Sequence, residues 1–563
     1  MSVYFQSLIR SPLVREPFLV FRKIGKRLGM TPSVGPRKAS VVLSISHPCD
    51  WNQKLREWFS ACGIRGEPLL STKVFGQTFD RTTLLEVLRE GPRFSAKLDG
   101  DVKLAWDFAR SHHFPINSFL LGESVAPQLI GEMRELMASP AQSPFWSCPM
   151  DVAIRAVNWV AADALLGGAM SRSTPFAGWA WQHLDVIWRG LEAFRLSGNH
   201  YLANLLGLLV LGRSLPDNPF AKKCLSFARR EWPQALLAQT YDDGGVCEAS
   251  LRYHAFVTEM ALLARLFDDE EWPPSALNRL RLMVQVVADH LDAGGDVFAV
   301  GDDDNGRVIA ADFSTCRGRA ECLLELATQI LGERVSPRET AFYPHSGWWT
   351  KRRGDWHSHL EFGGVGMWGA GAHAHDDDLA VCLSFRNQPV LVDPGSYIYT
   401  PDAAARDRFR SACNHSTIRL MPQNLEPLAL KGESVFMWKG RIEPLSAEST
   451  SLGVLVKSGN IRREVSLTET QFIVIDSISP EIFSTAWWFF HLHPDVTFLL
   501  QDGLAVLSVR GKKFVIEVNP PLVITPVQSV FAPCYGRCEP STVLTARLDL
   551  STATQVTWRI EMQ

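Results

Sequence analysis

Residues able to do chemistry are concentrated between positions 371 and 418 of the chain. Three imidazoles and one carboxylate, His373, His375, Asp393 and His415, stand among short apolar runs that are typical of strands. Burying a charged group or an imidazole is costly unless it is paired or bound to a metal ion. Two imidazole nitrogens and one carboxylate oxygen form a ligand set that suits zinc. We therefore expect His375, Asp393 and His415 to hold a metal ion, which leaves His373 for acid–base chemistry.

A second group of candidate residues precedes this region. Asn199 and His200 stand before an apolar helical pattern, and Glu248 and Tyr253 follow the turn sequence Asp243-Gly244-Gly245. Each allows a structural interpretation, because Asn199 can cap a helix and Tyr253 can be a core aromatic residue with a satisfied hydroxyl. Farther along, the acidic loop that begins at Asp302 has neither the length nor the terminal Glu of an EF-hand, so we expect a capped turn there.

The order of these motifs resembles that of the heparinase II/III-like polysaccharide lyases. The matching segments are His373-Ala374-His375 with Asp377, Val392-Asp393-Pro394-Gly395, Arg410-Ser411 and His415-Ser416-Thr417. The Asn199-His200 pair and the stretch from Asp243 to Tyr253 are similar to the helical part of the same family. The resemblance covers residues 145–420. Ser416 stands where the family usually has Asn, and Ala380 where it often has Ser, which leaves the substrate open.

The resemblance implies a polysaccharide lyase that cleaves a uronic-acid-containing glycan by β-elimination. Asn199 or His200 falls on the group that neutralises the substrate carboxylate, and Tyr253 falls on the catalytic tyrosine. Tyr397 and Tyr399 are alternative candidates for a second tyrosine, and spacing does not choose between them. We expect further residues to bind the substrate, namely Asn158, Trp159, Glu248 and Arg410. The resemblance also makes the metal structural, with zinc expected and another divalent cation as the alternative.

Elimination from a uronic acid explains why these residue types are needed. A carboxylate opposes negative charge on the neighbouring carbon, so the enzyme must neutralise it with hydrogen bonds or positive charge. Tyr253 can act as a base only if nearby positive charge lowers a pKa that is ordinarily about 10. Histidine is the side chain ordinarily suited to acid–base chemistry near neutral pH, and His373 is expected to approach the sugar from the opposite face.

Two other functions remain compatible with the same residues. A uronyl C5-epimerase acting during glycan biosynthesis would use the same base and neutralising group, but would return the proton instead of expelling the leaving group. An inactive glycan-binding protein is the third possibility. Appearance of an unsaturated uronyl end would distinguish the lyase from both.

The elements expected to position these residues fall into two kinds. Between positions 81 and 338 apolar residues recur at three- and four-residue steps, as in Tyr201–Leu211, which predicts successive helices. Between 339 and 563 short runs rich in Val, Ile and Phe alternate with turn residues, which predicts an antiparallel β-sandwich. The sequence thus predicts an α + β multidomain chain. The resemblance implies that the helices form an incomplete (α/α) toroid, and residues 1–80 are left unassigned.

Composition limits the partners and the compartment. The 563 residues are 46% hydrophobic and 21% charged with a net charge of −3, so nothing indicates a nucleic-acid partner. An acidic polysaccharide or oligosaccharide is the expected partner.

The eleven cysteines are scattered and odd in number, which favours reduced thiols. Residues Met1–Met30 are basic, without the apolar core of a secretory signal, and favour an amphipathic helix. No run is long enough for a transmembrane segment, so we expect a cytoplasmic protein, with a periplasmic location as the alternative.

Overall fold

The computed structural model describes residues 36–37, 44–70, 73–74, 77–90, 102–173, 175–193, 197–292, 294–315, 317–399, 401–422, 440–479, 484–501 and 504–563. The amphipathic helix expected within Met1–Met30 lies outside the described residues. The chain divides into two compact units, the first formed by residues 1–240, 255–284 and 306–335 and the second by 241–254, 285–305 and 336–563. The second unit therefore includes two segments from inside the predicted helical domain.

Helices dominate the part of the chain before residue 335. In chain order the described helices are α1 (Asp50–Cys62), α2 (Arg81–Glu90), α3 (Val102–Ala109), α4 (His113–Leu121), α5 (Ala126–Met137), α6 (Pro144–Ser147), α7 (Pro149–Leu165), α8 (Phe176–Gly190), α9 (Asn199–Ser214), α10 (Pro219–Gln239), α11 (Leu251–Phe267), α12 (Pro274–Asp289), α13 (Arg319–Leu331) and α14 (Ala403–Arg410). Proline opens α6, α7, α10 and α12, where its fixed φ suits the first helical turn and its missing N–H costs no hydrogen bond.

Helices α7 and α9 form the buried centre of the first unit. Every residue of α7 is buried, and α9 is buried everywhere except at His200 and Arg213. A helix that is apolar on all sides must be surrounded by other elements. The two helices pack closely at Gly207, where an added Cβ would lie 2.7 Å from the Cβ of Ala153.

Strands form most of the second unit. Two short strands, β1 (Lys73–Val74) and β2 (Gln77–Thr78), lie in the first unit. The strands of the second unit are β3 (Thr340–Tyr343), β4 (Trp348–Arg353), β5 (Trp356–Glu361), β6 (Val381–Phe385), β7 (Gln388–Leu391), β8 (Ile418–Pro422), β9 (Ser446–Ser449), β10 (Gly453–Ser458), β11 (Ile461–Leu467), β12 (Gln471–Ile478), β13 (Ser484–Leu492), β14 (Thr497–Gln501), β15 (Leu504–Val509), β16 (Lys512–Asn519), β17 (Thr525–Cys534), β18 (Arg537–Leu550) and β19 (Thr554–Met562).

Two antiparallel sheets of the second unit enclose one hydrophobic core. The eight-stranded sheet has the order β14-β15-β16-β19-β12-β11-β10-β9, and the nine-stranded sheet has the order β17-β18-β13-β7-β6-β5-β4-β3 with β8 also paired to β13. Burial alternates along β11 and β12, which is the period of a strand with one buried face. Trp349, Leu383 and Trp488 of one sheet share the core with Phe472 and Trp558 of the other. Each such large apolar side chain stabilises the fold by about 1.5–3 kcal/mol.

The predicted fold class is confirmed: a helical N-terminal part is followed by an antiparallel β-sandwich. The incomplete toroid stays a prediction. Ten cysteines fall within the described ranges and all of them are free thiols, as the scattered pattern predicts. Within the same ranges, no helix combines the length and apolarity needed to cross a bilayer.

Candidate active site and metal centre

Three loops at one edge of the nine-stranded sheet carry the candidate metal ligands. His375 lies just before β6 begins, Asp393 lies just after β7 ends, and His415 lies just before β8 begins. Strands β6 and β7 are antiparallel neighbours, so the first residue of β6 and the last residue of β7 lie at the same end of the two strands. The amide of Val381 donates to the carbonyl of Ser416 at 3.0 Å, which fixes the third loop beside β6.

The segment at Gly301 and Asp302 packs against the first of these loops. Gly301 has φ +71°, and a Cβ there would lie 2.6 Å from the carbonyl oxygen of Ala249 and 2.9 Å from that of His373. Only glycine permits so close an approach at a positive φ. The amide of Asp302 donates to the His373 carbonyl at 3.0 Å, and Ser250 Oγ donates to the Asp302 carbonyl at 2.7 Å.

The Asp302 side chain is the centre of a buried network. Arg406 donates to both oxygens, from Nη1 to Oδ1 at 2.8 Å and from Nη2 to Oδ2 at 2.6 Å. His373 Nδ1 lies 3.0 Å from Oδ2, and His375 Nε2 lies 3.0 Å from Oδ1. Burial alone would raise the pKa of Asp302, but the charge of Arg406 and the hydrogen bonds from the histidines hold it well below its usual range. The loop does contain the expected capped turn, because the amide of Asn305 donates to Asp303 Oδ1 at 2.7 Å, whereas the Asp302 side chain faces the candidate site.

Tyr253 and His373 are stacked face to face, with ring centroids 3.8 Å apart and an interplanar angle of 18°. The Nε2 atom of His373 lies 3.4 Å from Oε2 of Glu248, whose side chain is buried. A sugar ring does not fit between rings at this distance, so the structure differs from the expected approach of the two groups from opposite faces. Burial and the negative charge of Asp304 raise the pKa of Tyr253 well above its usual range. The condition under which Tyr253 could act as a base, a pKa lowered by nearby positive charge, is therefore not met, because burial and nearby carboxylates dominate at this hydroxyl.

Of the two alternative tyrosines, Tyr399 is the one beside Tyr253. Their hydroxyl oxygens are 3.5 Å apart, and the guanidinium of Arg406 lies 4.3 Å from the centre of the Tyr399 ring. Burial and the charge of Asp302 raise the pKa of Tyr399 as well. Tyr397 instead packs near Phe409, with ring centroids 6.0 Å apart.

The candidate metal ligands are close to one another and fully enclosed. One ligand atom from each of His375, Asp393 and His415 lies within 4.8 Å of the other two, and all three residues are buried. His415 Nδ1 lies 2.7 Å from Asp393 Oδ2, while Asp393 Oδ1 accepts from the amide of Gly395 at 2.9 Å. Burial lowers the pKa of His375, which favours the neutral ring that a metal ligand requires.

Two buried ring nitrogens show that this set fits a metal ion. His375 Nδ1 and His415 Nε2 are enclosed and have no hydrogen-bond partner within the described residues. Buried polar atoms without a partner are costly, and coordination to a cation would satisfy them. The donor set of two nitrogens and a carboxylate oxygen suits zinc.

The predicted neutralising residues belong to the first unit. Asn199 is the first residue of α9 and is buried, with Gly198 in the cap position before it. His200 has a side chain that is 46% exposed, and its Nδ1 lies 2.7 Å from Glu192 Oε1. His200 and Glu192 also form a cluster with Cys148, with ligand atoms within 4.8 Å. Burial raises the pKa of the Cys148 thiol well above its usual range, so a thiolate ligand is disfavoured there.

Three of the predicted substrate-binding side chains have internal partners. Asn158 Nδ2 donates to the carbonyls of Arg110 and Val308 at 3.0 and 2.9 Å, and Trp159 Nε1 donates to Ser111 Oγ at 3.1 Å. Arg410 is fully buried in the second unit and donates to Asp407 Oδ1 at 2.6 Å. These contacts are structural, and a role of Asn158, Trp159 and Arg410 in binding substrate stays a prediction.

Asp302 and Arg406 are the two site residues that the sequence did not reveal. Gly301 was the available signal for the first, because glycine is the residue used where a backbone approaches closely. Arg406 carried no comparable signal, because α14 is short and mostly polar, and its sequence does not show that Ala405, Arg406, Phe409 and Arg410 are the buried side.

Residues 335–559 match the family model described as Heparinase II/III-like, C-terminal. A solved structure of heparinase III is 14% identical with a TM-score of 0.63, over 99% of this chain and 93% of that chain. A mutant of heparan sulfate lyase HepC from Pedobacter heparinus is 16% identical with a TM-score of 0.58, over 91% and 87%. Chondroitin AC lyase from Streptomyces coelicolor A3, in complex with chondroitin sulphate, is 10% identical with a TM-score of 0.51, over 91% and 83%. At these identities the structural likeness shows the fold alone. None of the curated protein sequences matches the chain.

Proposed function

The chain belongs to the heparinase II/III-like family through the domain at 335–559, and from this premise we propose that it is a polysaccharide lyase acting on a uronic-acid-containing glycan. The observation that carries the proposal is the buried cluster of Tyr253, His373 and Tyr399 directly beside the candidate metal ligands. Such a cluster offers a base, a proton donor and a rigid support within one unit. The structures of similar fold include lyases that bear heparan sulfate and chondroitin in their names.

In the proposed reaction His373 takes the proton from C5 of the uronate, and the bond from C4 to the glycosidic oxygen breaks. The electron pair of the C5–H bond forms the C4–C5 double bond, and the leaving oxygen receives a proton from Tyr253. The raised pKa of Tyr253 supports the donor role, because a hydroxyl that keeps its proton at neutral pH can deliver it. Tyr399 is the neighbour from which Tyr253 can regain a proton.

The stacked arrangement has a stereochemical consequence for the substrate. Because the Tyr253 and His373 rings are in contact, both reach a sugar from the same side. That arrangement suits a uronate whose C5 hydrogen and C4 oxygen lie on one face, which is the configuration of glucuronate and not of iduronate. We therefore propose glucuronate at the cleaved position. The substrate carboxylate also requires hydrogen-bond donors, and Asn199 or His200 remains the prediction for that role.

A divalent cation, with zinc favoured, would be held by His375, Asp393 and His415. When bound, it would supply a structural cross-link between the loops that precede β6, follow β7 and precede β8. Because His373 is only two residues from His375, fixing that loop also fixes the side chain proposed as the base. Removal of such a ligand should therefore affect both stability and turnover.

The test is a set of matched glycans that contain either glucuronate or iduronate. We expect ultraviolet absorbance from unsaturated uronyl ends with the glucuronate glycans, and little or none with the iduronate glycans. Tyr253→Phe should lower turnover by about 10²–10⁴-fold, the usual contribution of a general acid or base. The matched control is Tyr343→Phe, another buried tyrosine of the same unit, whose hydroxyl donates to Asp289 instead.

The outcomes separate the proposal from its alternatives. No absorbance, combined with deuterium uptake from solvent at C5 of an intact chain, would indicate an epimerase. Binding without either change would indicate an inactive glycan-binding protein. A Tyr253→Phe variant as active as wild type would contradict the assigned chemistry.

A further inference from the structure

A polar cleft lies at one end of strands β4 to β7 in the second unit. It has a volume of about 540 Å³, and its lining includes Arg352 and Ser384 together with the turn residues Asp355 and Asn387. The candidate metal ligands flank the opposite ends of β6 and β7. Strand β6 has five residues, so its two ends are roughly 13 Å apart. The cleft is therefore separate from the candidate metal centre.

Strand pairing explains why polar side chains meet in this cleft. Arg352 of β4 is paired with His357 of β5, and His357 is paired with Ser384 of β6. Directly paired residues present their side chains on the same face of a sheet, so these three form a row across the strands. Their chain neighbours Trp356 and Leu383 belong to the hydrophobic core. The polar row therefore lies on the face that is turned away from the core.

Arg352 is a cation without a counter-ion. Its Nη2 atom donates to the carbonyl oxygen of Leu291 at 2.6 Å, and its enclosed Nε atom has no hydrogen-bond partner. Among the residues that the structure describes, no carboxylate forms an ion pair with Arg352. Burial lowers the pKa of Arg352 to about 10, which agrees with a guanidinium that is partly removed from water and not neutralised. Such a group is stabilised when an anion binds beside it.

The carboxylates that line the cleft have partners of their own. Asp355 Oδ2 accepts from Nε of Arg386 at 2.6 Å. Asp292 lies 3.6 Å from Nη2 of Arg252 and accepts from two backbone amides of its own loop. Neither carboxylate contacts Arg352, whose positive charge is left for a ligand.

Building on the proposed function, which supplies an acidic glycan as the partner, we propose that this cleft binds an oxyanion of the glycan, a sulfate or carboxylate group, through Arg352 and Ser384. A guanidinium presents several donors in a plane that matches such groups. The Ser384 hydroxyl makes no hydrogen bond to a described residue and can donate a further one. The cleft holds a part of the chain that is not cleaved, and so adds a second contact to long substrates.

Arg352→Gln tests the site with inorganic sulfate as the probe. In isothermal titration calorimetry at constant ionic strength, sulfate should bind the variant at least about tenfold more weakly than wild type, which is the effect of losing hydrogen bonds from a charged donor. The matched control is Arg353→Gln, the next residue of β4. Arg353 does not line the cleft and is bonded to Glu339 Oε1 at 3.1 Å. Its replacement should leave sulfate binding within about twofold of wild type.

Two further variants keep the test decisive if Arg352→Gln fails to fold. Arg352→Lys keeps the positive charge and should retain sulfate binding better than Arg352→Gln, although it loses the planar set of donors. Ser384→Ala removes a hydroxyl that has no partner among the described residues, so the fold should tolerate it. We expect weaker sulfate binding in Ser384→Ala, with a melting temperature close to that of wild type.

A second arm of the experiment decides whether the oxyanion belongs to a glycan or is a free anion. Glucuronate oligosaccharides of increasing length are titrated into wild type and Arg352→Gln. Affinity for wild type should rise once the chain is long enough to make the second contact, and Arg352→Gln should lose that rise. If sulfate binding depends on Arg352 but the dependence on chain length is the same in both proteins, the cleft takes a free oxyanion, and the assignment to the glycan is wrong.

These measurements are independent of turnover and so separate this inference from the proposed function. If wild type cleaves no uronate glycan, the proposed function is wrong, while the sulfate titration still decides whether the cleft binds oxyanions. If wild type binds no sulfate, or if Arg352→Gln binds it as wild type does, the inference is wrong whatever the enzyme cleaves. An equal loss in Arg353→Gln would also contradict it, because surface charge alone would then explain the binding.

Discussion

His415→Ala is the most direct perturbation of the candidate metal centre. The substitution removes both ring nitrogens, including the unpartnered Nε2, and leaves Asp393 Oδ2 without its 2.7 Å partner. Breaking a buried pair by removing one member costs about 3–5 kcal/mol. This loss appears with or without metal, so the melting temperature of the variant alone does not test metal binding.

The response to zinc is the discriminating quantity. A ligand that binds only the folded state stabilises it by about 2.7 kcal/mol when its free concentration is 100 times the dissociation constant. In a unit of this size each kcal/mol shifts the melting temperature by about 2–4 °C, so wild type should gain about 5–10 °C from zinc. His415→Ala should gain almost nothing at the same free zinc concentration. Differential scanning calorimetry of metal-free protein, titrated with buffered zinc, gives both values.

His359→Ala is the control for this experiment. His359 is a buried histidine of β5 in the same unit and belongs to no metal cluster found among the described residues. Its removal should lower the melting temperature through a cavity, while the gain from zinc stays that of wild type. A wild-type protein that does not respond to zinc, or a His415→Ala variant that responds as wild type does, would refute the assignment.

Two further predictions concern stability. Burial lowers the pKa of His290 to about 4 from an ordinary 6.5, so on acidification the unfolded chain takes up a proton that the folded chain does not. The free energy of unfolding should therefore fall by about 3 kcal/mol between pH 6.5 and 4. His290→Gln should flatten this dependence on pH, as measured by urea titrations. Gly207→Ala should destabilise the first unit by about 1–3 kcal/mol because its Cβ would meet Ala153, whereas Gly131→Ala, with nothing within 4 Å, should leave it unchanged or raise its melting temperature.

The fold could be predicted from the sequence because its signals are local. The period of apolar residues changes near position 336 from the helical to the strand repeat, and β11 and β12 show the expected alternation of burial. The assignment of residues 241–254 and 285–305 to the second unit could not be predicted. Both segments lie beside helical patterns, and only long-range packing decides which unit they join.

The metal ligands could be grouped from the sequence because each lies next to a strand end, and strand pairing then brings them to one edge. The role of Asp302 could not be predicted for the opposite reason: its partners His373, His375 and Arg406 are between 71 and 104 residues away. A short acidic loop looks the same in sequence whether its carboxylate caps a turn or enters a buried network. The direction in which the Tyr253 pKa shifts could not be predicted on similar grounds, since burial has no signature at a single residue.

The protonation of Tyr253 links these observations to the chemistry. Asp302, Asp304 and Glu248 all oppose ionisation of its hydroxyl, so the surroundings are arranged to keep a proton on the tyrosine and not to remove it. The negative charge of Asp302 is meanwhile balanced by Arg406, and its two oxygens are directed at histidines. In the proposed reaction the tyrosine is therefore the proton donor, because the carboxylates near its hydroxyl favour the protonated form.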